Sequence, residues 1–184
     1  VFKGMSSLEK LALANNRLLD IQPNTFRGLK NLKHLTLTNN QLSSIDGSIF
    51  SSMPLLEHLQ LGENFISSID EYAFSTLKNL KQLEISHNKI KIIEQHSFSG
   101  LRRLRMLDLS RNEITHIQQG TFFSMESLNL LYLNDNRMTI LRRFLFNGLI
   151  HLTGLHINDN HIKVIEDNVL DSLPQLRGLY IEYN

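Results

Sequence analysis

Leucines and polar residues alternate along this chain with a period of 24, and residues 104–112, Leu-Arg-Met-Leu-Asp-Leu-Ser-Arg-Asn, show the unit most plainly. Leu104, Leu107 and Leu109 lead to Asn112, and Ile114, Ile117, Phe122 and Met125 complete the apolar set. Full repeats begin at Leu8, Leu32, Leu56, Leu80, Leu104, Leu128 and Leu152, with no insertion or deletion between them. The expected organisation is one domain over 1–184, with the tail of one repeat at 1–7, seven full repeats over 8–175 and the start of an eighth at 176–184. A fixed period of this length means stacked units, because one unit alone cannot bury its apolar face.

Each unit opens with period-two alternation, as in Leu11-Ala12-Leu13, Leu59-Gln60-Leu61 and Leu83-Glu84-Ile85, which predicts a short strand with leucines pointing inward. A second apolar stretch, such as Ile21 to Phe26 or Ile93 to Phe98, returns the chain along the far side. Frequent Gly, Ser and Pro predict irregular or short 3₁₀ structure there.

Two single-residue rows follow from the period. Asn16, Asn40, Asn64, Asn88, Asn112, Asn136, Asn160 and Asn184 form a ladder. A short side chain with both amide donor and carbonyl acceptor can satisfy buried backbone groups where each strand bends away, so this row is structural. Phe2, Phe26, Phe50, Phe74, Phe98, Phe122 and Phe146, with Leu170 in the last full repeat, form an aromatic spine packed inside the convex half.

Composition changes little in this picture. A net charge of +1 and 41% apolar residues fit a folded globular protein, and there is no block of like charge to act as a tail. On that balance the expected partners exclude nucleic acid. No run approaches the roughly 18 apolar residues of a membrane span. The absence of cysteine excludes disulfides and thiolate chemistry within these residues, and no Asn-x-Ser/Thr sequon occurs. Val1 enters and Asn184 leaves in mid-repeat, so the chain reads as part of something longer.

The pattern Leu-x-x-Leu-x-Leu-x-x-Asn-x-Leu-x-x-Ile, closed by Phe and Leu and matched in register along the whole chain, resembles the leucine-rich repeat family. The constant 24-residue length with its Phe spine looks like the "typical" class of extracellular animal receptors and adhesion proteins. That resemblance implies an α/β repeat solenoid, a curved leucine-rich-repeat horseshoe segment with a parallel concave β-sheet and a mostly irregular or 3₁₀ convex side. It also implies protein binding on the concave face and a secreted or cell-surface location. The chain departs from that class in lacking cysteine-rich caps.

With the leucines inward, the residues between them map the outer surface of the sheet. The third position gives Lys10, His34, His58, Gln82, Met106, Leu130, Gly154 and Gly178, and the fifth gives Ala12, Thr36, Gln60, Glu84, Asp108, Tyr132, His156 and Tyr180. The seventh runs from Ala14 to Glu182 and the eighth from Asn15 through Glu63, His87, Arg111 and Asp135 to Tyr183. The face therefore changes from small and neutral, through acids, to aromatic. Glu84, Met106, Asp108, Arg111, Leu130, Tyr132, His156 and Tyr180 are the predicted ligand-binding residues, since Tyr, Met and Arg are enriched in interface cores. Eight strands offer an arc of about 35 to 40 Å, enough for roughly 800 Å² per partner.

Other chemistry is less well supported. Glu84 and Asp108 are adjacent as catalytic acid pairs are, but a smooth strand face without insertions gives no cover from water, so no enzyme is expected. His34 and His58 are neighbours without evident third and fourth ligands, so neither a metal nor a cofactor is expected. Histidines on the face make pH-dependent binding chemically available. Arg102, Arg103 and Arg105, and again Arg142 and Arg143, gather away from the sheet as solvated turns or a contact for glycosaminoglycan. Phe65, Phe123 and Phe144 lie outside the spine as lateral contacts or extra packing. The functional expectation is a recognition segment whose partner is a protein ligand or receptor, with self-association also open. The alternatives are a matrix organiser of proteoglycan type and an intracellular scaffold.

Overall fold

The computed structural model describes residues 1–184 as a solenoid of short parallel strands. In chain order these are β1 (Lys10–Ala12), β2 (His34–Thr36), β3 (Ser44–Ile45), β4 (His58–Gln60), β5 (Ser68–Ile69), β6 (Gln82–Glu84) and β7 (Ile92–Ile93). They continue as β8 (Met106–Asp108), β9 (His116–Ile117), β10 (Leu130–Tyr132), β11 (Ile140–Leu141), β12 (Gly154–His156), β13 (Val164–Ile165) and β14 (Gly178–Tyr180). The three-residue strands form one eight-stranded parallel sheet in sequence order, β1-β2-β4-β6-β8-β10-β12-β14. Register advances by one repeat at each step, so Leu35 faces Leu59 and Leu107 faces Leu131.

The far side is turns with a single 3₁₀ helix, Gly47–Phe50, capped by the Asp46 side chain accepting from Ser48 N. Three two-stranded ribbons, β3-β5, β7-β9 and β11-β13, also stand there. The spacing of the apolar residues did not announce them. They join adjacent repeats two by two, using the β-branched residues Ile45, Ile69, Ile93, Ile117 and Ile165.

The core is one continuous cluster between the two sides, and its bulk is the predicted one. Phe26, Phe50, Phe74, Phe98, Phe122 and Phe146 are at most 1% exposed. Their rings meet in groups: Phe50, Phe74 and Phe98 are linked at 5.8 and 6.2 Å, and Phe122 and Phe146 at 6.4 Å. Phe65, Phe123 and Phe144, outside the spine, are exposed.

The asparagine ladder closes each turn onto the one before. Asn64 Nδ2 donates to Leu61 and Gly62 O in its own repeat and to Leu37 O in the preceding one, while its Oδ1 accepts from Leu42 N. Two amide hydrogens cover three carbonyls by sharing, and the pattern recurs at Asn40, Asn88, Asn112, Asn136 and Asn160, all buried. The residue before each asparagine takes a left-handed backbone, from φ 58° at Asn15 to 57° at Tyr183. Asn and Asp accept that geometry easily; Glu63, His87, Arg111 and Tyr183 hold it at some strain.

Candidate functional site

The concave sheet places the predicted fifth-position residues in one unbroken row. Thr36, Gln60, Glu84, Asp108, Tyr132, His156 and Tyr180 are register partners, each one strand from the next. Met106 and Leu130 pair in the row beside them, followed by Gly154.

The first half of this surface is occupied with itself. His34 stacks on His58 with ring centroids 4.5 Å apart and planes 4° from parallel, and His58 Nδ1 lies 2.8 Å from Gln82 Oε1. Thr36 Oγ1 donates to Gln60 Oε1, and Gln60 Nε2 donates to Glu84 Oε2 at 3.1 Å. Such a chain leaves few polar groups seeking a partner.

The second half differs. Tyr132, His156 and Tyr180 form a three-ring stack, with centroids 4.6 and 4.2 Å apart and planes within 22° and 8°. Glycine makes room for it. A β-carbon on Gly178 would lie 3.1 Å from Tyr180 Cε2, and one on Gly154 would lie 2.8 Å from Leu130 Cδ2. Leu130 therefore folds over Gly154, and both Leu130 and Met106 are half-buried rather than free apolar knobs.

Burial lowers the pKa of His156 below the ordinary imidazole value, with Glu182 and Asp108 pulling weakly the other way. Burial also lowers His34, assisted by the neighbouring His58 and Lys10. Both imidazoles are thus biased toward the neutral form.

Asp108 accepts from Ser110 N at 2.9 Å, and Glu84 from Gln60 and Ser86. Neither carboxylate has a cation within salt-bridge distance. Arg111 lies past the end of β8 in the left-handed turn, its Nη1 3.1 Å from His87 Nε2 and its Nε 3.7 Å from Asp135 Oδ2. It belongs to the rim of the sheet and is not gathered with the other predicted residues.

No group of three or more His, Asp or Glu side chains stands close enough to hold a metal ion, and no helix is long and apolar enough to cross a membrane. A hollow of about 790 Å³ opens on the other side of the solenoid between β9 and β11, against Gln118, Arg142, Arg143 and Glu166. Gly154, Gly178 and Glu182 stand on the surface map but were not among the predicted ligand-binding residues. The signal was present as a glycine two residues before an aromatic ring in successive repeats, Gly154 with His156 and Gly178 with Tyr180.

The family model described as "Leucine rich repeat" matches residues 6–66, 54–114, 107–144 and 131–184, which together run through nearly the whole chain. No curated protein matches it. Among solved structures, the crystal structure of a TLR13–ssRNA13 complex is similar with a TM-score of 0.92 and 34% identity. The match covers 95% of this chain and 25% of that one, so the chain spans about a quarter of the length of that structure. This finding corrects the expectation that excluded nucleic acid, because a protein of this fold and this degree of identity is solved with single-stranded RNA. The physical fault in the expectation was to use net charge, which averages over faces that a ligand meets one at a time.

Proposed function

The chain belongs to the leucine-rich repeat family, and we propose that it is a ligand-recognition segment of a secreted or cell-surface receptor or adhesion protein, binding a protein on the concave sheet. Leucine-rich repeat modules are generally binding modules rather than enzymes, and the smooth face here has no cover under which to exclude water. The observation that carries the reading is the junction of Asp108 with Tyr132. There, carboxylates without cation partners adjoin a preorganised ring stack.

Stacked against each other, the rings expose mainly edges and form a rigid ridge. Binding to it costs little side-chain ordering, which is what makes an aromatic anchor effective. Glu84 and Asp108 beside it suit a lysine or arginine on the partner, because their carboxylates gain a charge-assisted bond without breaking one. The extracellular setting rests on the 24-residue repeat class that the sequence resembles.

A second reading is favoured by one observation, the RNA in the TLR13–ssRNA13 structure. Along this face and its rim a phosphate backbone would meet Glu84, Asp108 and Glu182, with Glu63, Asp135 and Asp159 at the rim, against Lys10 and the rim residue Arg111. That charge favours the cationic protein ligand.

Asp108→Arg separates the two by sign. Against a cationic protein ligand found by screening cell-surface ectodomains, the variant should bind at least tenfold more weakly. Tighter binding of single-stranded RNA, with no protein ligand lost, would establish the second reading instead.

A further inference from the structure

The strongest charged feature lies away from the concave face, on the edge where the chain enters the strands. Lys78, Lys81, Arg102, Arg103 and Arg105 come from three successive repeats, at their junctions, and are brought together there. Arg105 N donates to Lys81 O at 2.8 Å, which fixes those two residues one strand apart. Arg103 Nη1 donates to Asn79 Oδ1 at 2.7 Å across the same step. Lys78 extends over the next turn, its Nζ 2.8 Å from where a β-carbon of Gly100 would be.

The cluster is bounded by Glu57 on one side and Glu126 on the other. Glu57 is satisfied by Lys81 at 2.7 Å, an ion pair that also lowers the pKa of the Glu57 carboxyl. Lys78, Arg102, Arg103 and Arg105 have no acidic partner, and all four are exposed. Beyond Glu57, Lys30 and Lys33 extend the same edge, with Lys33 held by Glu9 at 2.9 Å. The arginines present planar forks suited to tetrahedral oxyanions, at a spacing of about 4.8 Å per strand.

We propose that this edge is a binding site for a linear sulfated polysaccharide, laid across the repeats so that successive sulfates meet Lys78, Arg102, Arg103 and Arg105. The positions that carry the cluster contain no Phe or Tyr in any repeat, so the edge lacks the stacking platforms on which single-stranded bases are held. It reads a run of negative charge. The site is independent of the concave ligand face, and a polysaccharide and a protein could occupy the two together.

The test is retention on immobilised heparin at physiological salt, comparing the wild-type protein with an Arg102→Ser/Arg103→Gln/Arg105→Ser variant. An Arg17→Ser/Lys91→Ser/Lys163→Ser variant, which removes three exposed cations elsewhere, is the charge-matched control. The proposal expects at least a tenfold loss of affinity for the cluster variant, a change below twofold for the control, and no binding to de-sulfated heparin. Equal losses in both variants would reduce the effect to net charge and overturn the site. Retention on de-sulfated heparin would overturn it as well. Tighter binding of single-stranded RNA than of heparin oligosaccharide of equal charge, lost in the same variant, would assign the edge to nucleic acid instead.

Discussion

Asn112 donates from Nδ2 to the carbonyl of Ile85, 3.0 Å away in the preceding turn, and its Oδ1 accepts from Ile90 N at 3.1 Å. One side chain thus ties two repeats together through backbone groups that water does not reach. Asn112→Ala would orphan several of them, and each buried orphan costs about 1–3 kcal/mol. We expect a loss of about 2–4 kcal/mol, read as a lower urea midpoint. Asn16 is exposed and bonds only within its own repeat, to Leu13 O and Ala14 O. Asn16→Ala should cost less than about 1 kcal/mol.

Gly148 and Gly154 should respond differently to the same added methyl group. Gly148 has φ 98°, and its β-carbon would fall 2.7 Å from Phe123 Cα and 2.8 Å from Phe122 O, which are backbone atoms that cannot turn aside. Gly148→Ala is expected to destabilise by about 2 kcal/mol or more in thermal or urea unfolding. At Gly154 the obstacle is the end of the Leu130 side chain, which can rotate. Gly154→Ala should cost about 1 kcal/mol and alter the near-ultraviolet dichroism of the tyrosine stack, since Leu130 must move on the concave face.

Stability should fall on mild acidification. The pKa values of His156 and His34 are lowered in the folded protein, chiefly by burial, so the unfolded chain binds more protons than the folded one below the ordinary value of 6.5. With more protons on the unfolded side, stability rises with pH. The contribution is complete above pH 6.5 and is lost as pH falls from there through the lowered folded values. His156→Gln and His34→Gln together should flatten the melting temperature against pH over that range. A wild-type profile flat from pH 7.5 to 5 would contradict it.

The fold was legible because each repeat states the same rule again. Leu107 and Asn112 are buried at 0% and 7% exposure as their spacing required, and Phe98 at 0%. The ribbons β3-β5, β7-β9 and β11-β13 were not legible, because the period is the same at every repeat whereas the ribbons join adjacent repeats only two by two. The site was legible in part. Strand alternation placed Glu84, Asp108, Tyr132, His156 and Tyr180 in one row, since that row follows from register alone. The same counting put Arg111 on the sheet, whereas its left-handed backbone carries it to the rim. It also treated Leu130 as a free apolar side chain, although the missing β-carbon of Gly154 lets it lie down.

The claim that the concave face receives a protein is tested most directly by labelling carboxylates with a carbodiimide, with and without the protein ligand found by screening. The account predicts that Glu84 and Asp108 react in the free protein and are protected at least fivefold in the complex, while Glu126 and Asp171 on other surfaces react equally in both. Equal labelling of Glu84 and Asp108 with and without the ligand would contradict it.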